Sequence, residues 1–96
     1  MILSFRGEAT EGLFHGVHSR KGLKFPADIW AVGRRKMDML NAAVTLGDLK
    51  VPPGNRLEAL KGKYEGFHSI RVNGRYRVIF QWSGRDAKEV QIIDYH

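Results

Sequence analysis

Residues 67–82 read Phe67-His68-Ser69-Ile70-Arg71-Val72-Asn73-Gly74-Arg75-Tyr76-Arg77-Val78-Ile79-Phe80-Gln81-Trp82, and how this stretch folds back on itself decides the architecture. Apolar residues recur every second position on both sides of Asn73-Gly74-Arg75, the pattern of two half-buried strands joined by a turn. A two-residue Asn73-Gly74 turn would pair Val72 with Arg75 and set Arg77 beside Ile70, mixing charge with apolar groups on one face. A three-residue loop, Asn73-Gly74-Arg75, instead pairs Val72 with Tyr76 and Arg71 with Arg77. One face then carries Ile70, Val72, Tyr76, Val78, Phe80 and Trp82. The other carries Ser69, Arg71, Arg77 and Gln81, with Ile79 between them. The longer loop separates the two chemistries and is the expected register.

Downstream, Ser83-Gly84-Arg85-Asp86 reads as a turn into a last strand, Val90 to Tyr95. Upstream, Lys61 to Gly66 is a glycine-bounded loop, Arg56 to Leu60 a short strand, and Val51-Pro52-Pro53-Gly54-Asn55 a turn that no helix can cross. The main helix is expected from Ala27 to about Leu46. Pro26 suits its first turn, and Asp28 its positive end. Trp30, Gly33, Met37, Leu40 and Val44 form its apolar stripe, Arg34, Arg35, Asp38 and Asn41 lie on or near the opposite side, and Gly47 is the expected stop. A short helix over Glu8 to Phe14 and a strand over Met1 to Phe5 open the chain. Between the helices, Gly16 to Lys24 (GVHSRKGLK) has the composition of a mobile basic loop. The expected fold is α+β in one domain, 1–96. One or two helices cover one face of a twisted antiparallel sheet of three to five strands, and the other face is open, polar and basic.

The 96 residues are 43% hydrophobic, enough for one core. Without cysteine there is neither a disulfide framework nor cysteine-ligated zinc. No stretch approaches the roughly 18 apolar residues of a membrane span, and no signal-peptide pattern opens the chain, so a cytoplasmic protein is expected. Sixteen Lys and Arg against ten Asp and Glu give a net charge of +6. Such an excess on so small a chain attracts polyanions, with nucleic acid the leading partner class and an acidic protein the next.

Chemistry concentrates in two places. Arg71 and Arg77, opposite each other, repel unless an anion lies between them, and guanidinium suits phosphate through its planar fork. Arg75 adds charge at the loop, and Lys61 and Lys63 flank Gly62 where they can track a phosphate backbone. Glu58, three residues before Lys61, is either a base, a lysine partner or a solvated carboxylate. The second place is the end of the chain, Asp94-Tyr95-His96. A docked strand holds these residues, with Asp94 and His96 on one face and Tyr95 on the other. His96 suits general acid–base work near neutral pH, with Asp94 orienting its ring. His15 and His18 lack a nearby carboxylate, so no metal site is expected.

The ordered combination LxxLKG, EGFHSIRV, RYRVIFQW and terminal DYH resembles the HigB branch of the RelE-like toxins of bacterial type II toxin–antitoxin systems, over nearly the whole length. The resemblance implies a small microbial-ribonuclease-like fold. It implies an mRNA-cleaving endoribonuclease (an mRNA interferase) that acts at the ribosomal decoding site and so inhibits translation. The implied partner is a helix-turn-helix antitoxin, HigA-like, through which the toxin reaches operator DNA indirectly. By position, Lys61, Arg77, Asp94, Tyr95 and His96 match the family's functional residues. Some relatives carry histidine where this chain has Glu58, so either Glu58 takes over that role or His96 works without a second imidazole. RNA supplies its own nucleophile, the 2′-hydroxyl, so no metal or organic cofactor is needed. A non-catalytic basic RNA- or ribosome-binding module is the competing reading.

Overall fold

The computed structural model describes residues 1–16 and 25–95. The expectations for Gly16 to Lys24 (Gly16 apart), for His18 and for His96 therefore lie outside the described residues. Six elements build the fold: α1 (Glu8–His15), α2 (Trp30–Ala42), β1 (Glu58–Ala59), β2 (His68–Arg71), β3 (Tyr76–Ser83) and β4 (Asp86–Asp94). The strands form one antiparallel sheet in the order β1-β2-β3-β4. No helix among the described residues is long and apolar enough to cross a membrane.

The central hairpin takes the three-residue loop. Ile70 lies opposite Val78, Arg71 opposite Arg77, and the Val72 N–H donates to the Tyr76 carbonyl at 3.0 Å. Asn73 builds the loop, its Oδ1 accepting from the backbone N–H groups of Arg75 and Tyr76, both at 2.8 Å. This side-chain turn mimics a backbone one and explains asparagine at that position.

Both helices pack on one sheet face, where Ile70, Val72, Val78, Phe80, Val90 and Ile92 meet Leu13, Ile29, Met37 and Leu40. Two small residues set the spacing. A Cβ on Gly33 would sit 3.2 Å from Ile92 Cδ1. Buried Thr10 accepts the Ile92 backbone N–H at 3.1 Å, tying α1 to the sheet.

Four details differ from the sequence expectation. The main helix ends at Ala42, not at about Leu46 before Gly47, and starts with a 3-10 turn over Ala27–Ile29. It stops because Thr45 and Asp48 cap each other. Thr45 Oγ1 accepts from the Asp48 N–H at 3.2 Å, while Asp48 Oδ2 accepts from the Val44 and Thr45 N–H groups, both at 3.0 Å. That local exchange starts a new 3-10 turn, Leu46–Lys50, and leaves Val44 exposed. The strand expected over Arg56 to Leu60 shrinks to Glu58–Ala59, because Arg56 is left-handed, at φ 47° and ψ 56°. Met1 to Phe5 does not form a full ladder; it runs beside β4 through parallel bridges at Ile2–Ala87 and Phe5–Val90. Finally, the face away from the helices is only partly open. Leu60, Phe67 and Ile79 form a second small core there with Tyr64 and Ile93, and the Arg71–Arg77 pair lies beyond it at the end of the sheet near the hairpin loop.

Candidate active site

At that end, Arg56, Arg71, Asn73, Gly74, Arg77 and Tyr95 line a pocket of about 330 Å³. Strand alternation selects these side chains. Arg71 and Arg77 are cross-strand neighbours, Arg77 lies opposite Ile93, and Tyr95 is two residues beyond Ile93 on the same side. The Tyr95 N–H donates to the Arg75 carbonyl at 2.8 Å, so the chain stays docked one residue past β4.

Arg77 is the most constrained group. Its side chain is only 11% exposed. Nη2 donates to the Arg56 carbonyl at 2.6 Å, Nη1 lies 3.6 Å from Glu58 Oε1, and the guanidinium sits 5.8 Å from the centre of the Tyr95 ring. Its Nε is buried without a hydrogen-bond partner among the described residues. The repulsion expected between Arg71 and Arg77 is thus relieved on one side by Glu58, which pairs with the arginine rather than with a lysine. Chemically, the pocket presents three guanidiniums, one held rigidly, beside an aromatic ring. Such a set suits a phosphodiester flanked by a base.

The structure brings Arg71, Arg77 and Tyr95 together and attaches Glu58 to them. It separates Asp94 and Arg75, which lie towards the helix side: Asp94 is opposite Tyr76, and the Arg75 Nε to Asp94 Oδ2 distance is 2.8 Å. That hydrogen bond to carboxylate holds Arg75 charged above its ordinary range. Lys61 is exposed just before the 3-10 turn Gly62–Tyr64, and Lys63 Nζ lies 5.5 Å from the Tyr64 ring. Neither lines the pocket. Asp94 has Arg75 as its described partner, and the pairing expected with His96 lies outside the described residues.

Arg56 is the residue that sequence reasoning missed. It reads as the start of a strand, yet its left-handed backbone turns its carbonyl onto Arg77. The cause is Asn55, fully buried, whose Nδ2 donates to the Leu49 and Val51 carbonyls at 3.2 and 3.4 Å and whose Oδ1 accepts from Lys36 Nζ at 2.5 Å. Only the Pro53-Gly54-Asn55 turn signal pointed there. Among the described residues, no group of three or more His, Asp or Glu is placed to hold a metal ion.

Comparison with known proteins gives a consistent result. Residues 4–96 match the family model described as RelE-like toxin of type II toxin-antitoxin system HigB. A protein named Toxin HigB-1 from Vibrio cholerae serotype O1 is 40% identical over 82 residues, 85% of this chain and 84% of its own length. A protein named Endoribonuclease HigB from Proteus vulgaris is 31% identical, aligned over the full length of both chains. An uncharacterized Haemophilus influenzae protein is 36% identical, covering 72% of this chain and 68% of that one.

Proposed function

The chain belongs to the HigB-like toxins, RelE-like toxins of type II toxin–antitoxin systems, and from that premise we propose that it is an endoribonuclease cutting messenger RNA on the ribosome. The carrying observation is the arginine pocket under Tyr95, with Arg77 clamped by Arg56 and Glu58. The name of the Proteus vulgaris relative supports the same activity. Family membership implies an antitoxin partner; we read it as a HigA-like helix-turn-helix protein that carries the toxin to operator DNA.

In this reading the RNA 2′-hydroxyl attacks the adjacent phosphorus, the 5′-oxygen leaves, and a 2′,3′-cyclic phosphate remains. Arg77 and Arg71 neutralise charge on the pentacovalent phosphate, and preorganisation makes a held guanidinium more effective than a free one. Tyr95 stacks on a neighbouring base. His96 transfers the proton, since imidazole exchanges protons near pH 7. Asp94 acts with it, anchoring the strand end through Arg75. Lys61 and Lys63 steer the backbone. The reaction needs no metal, because substrate and side chains supply every group.

Expression of this chain alone in a bacterium, with mapping of transcript 5′ ends, is the test. New internal ends in the parent and none with Arg77→Ala are expected. Growth inhibition without new ends would favour the non-catalytic module instead.

A further inference from the structure

Beyond the pocket, Lys36 and Arg35 on α2 continue the positive surface away from Arg71. The junction is built from two consecutive residues. Asn55 Oδ1 holds Lys36 Nζ at 2.5 Å, and the carbonyl of Arg56 holds Arg77 Nη2 at 2.6 Å. Asn55 and Arg56 are adjacent in the chain, so the two cations are held by neighbouring residues. Asn55 cannot yield, being fully buried and bonded to two further carbonyls.

Lys36 is unusual for a lysine at a half-buried position. Its hydrogen-bond acceptor is a neutral amide, and its charged neighbours are Arg35 and Arg71. Burial first, then those two guanidiniums, hold its ammonium below the ordinary lysine range. Among the described residues, no carboxylate forms an ion pair with Lys36, Arg35 or Arg71. Three like charges with no carboxylate paired to them among the described residues make an arrangement that an anion completes.

Resting on the endoribonuclease reading, we propose that Lys36 and Arg35, together with Arg71, bind a second phosphate of the RNA strand, next to the one held by Arg77. A single strand offers phosphates in succession, and Arg71 is common to the two positions. It lines the pocket and acts electrostatically on Lys36. Lys36 arrives preorganised through Asn55, so it contributes without the entropy of ordering a free lysine.

The test uses the full chain and a short single-stranded oligoribonucleotide with 2′-O-methyl groups, which binds but cannot be cut. Affinity is measured by fluorescence anisotropy across a salt series for the parent, Lys36→Gln, Arg35→Gln and Arg77→Gln. Arg35 is exposed, so its variant keeps the test valid if Lys36→Gln disturbs Asn55. Lys36→Gln and Arg35→Gln, the variants of the α2 ridge, are each expected to lower the slope of log affinity against log salt by up to about 0.7, the single-strand value for one lost phosphate contact. The loss should be similar across oligonucleotide sequences. Parent-like slopes in both ridge variants, with a reduced slope in Arg77→Gln, overturn the second phosphate site alone. Impaired antitoxin binding with unchanged RNA slopes would make the ridge a protein interface and also overturn it. No affinity in the parent for the isolated strand overturns the second phosphate site alone, because the endoribonuclease reading concerns a ribosome-bound message and is tested by the transcript 5′ ends.

Discussion

Arg77 touches a backbone carbonyl, a carboxylate and an aromatic face at once, so its direction is set before any ligand arrives. Glu58 is thereby committed to an ion pair, which suits a clamp better than a proton acceptor. Glu58→Gln should therefore lower the cleavage rate but leave the shape of its pH profile unchanged. His96→Gln should remove the ionisation near neutral pH. A pH–rate series on both variants checks this, and a profile flattened by Glu58→Gln would return the base role to Glu58. The pairing of Arg71 with Arg77 was legible in the sequence because alternation about a three-residue loop allows only one clean register. Arg56 was not, because its left-handed backbone follows Asn55, whose buried amide is fixed by the Leu49 and Val51 carbonyls and by Lys36 on α2, bonds that no periodicity signals. The same holds for Lys36, since helical spacing does not say which polar side chain meets a buried amide.

Among the elements, α1 and α2 hold the sheet in shape. Thr10→Val should leave the Ile92 N–H of β4 unsatisfied and lower stability by about 1–3 kcal/mol, measured by denaturant unfolding. Gly33→Val places a branched side chain against Ile92 Cδ1 and should cost about 1–3 kcal/mol through overpacking. The end of α2 was misplaced because Val44 fits the helical stripe, so the periodicity runs past Ala42. The Thr45-x-x-Asp48 pairing that actually stops the helix is visible in the sequence, but its weight depends on hydrogen bonds rather than on period. Those bonds, chiefly from the Thr45 backbone, hold Asp48 below the usual carboxylate range. Its contribution is complete above about pH 4, the unfolded value, and is lost as pH falls through the lower folded value. Asp48→Asn should accordingly melt below the parent at pH 7 and converge with it in strong acid.

Across the whole molecule, two cores divide the work. The large one joins helices to sheet around Phe80, and the small one, Leu60, Phe67 and Ile79, caps the opposite face and leaves the basic end uncovered. Phe80→Ala should cost about 3–5 kcal/mol and disable the protein by unfolding it, whereas pocket variants should disable it while folded. The overall architecture was readable from hydrophobic period together with the proline and glycine turn signals. The second core was less so, because Leu60 and Phe67 meet Ile79 only once the intervening loop closes. The proposed function turns on one claim, that the RNA 2′-hydroxyl attacks a phosphate cradled by Arg77. The most direct measurement is single-turnover cleavage of a ribosome-bound message, compared with the same message carrying one 2′-deoxynucleotide at the cut position. The account predicts a 2′,3′-cyclic phosphate product from the first and no cut at that position in the second, with ribosome association unchanged. Equal cleavage of both messages would contradict it.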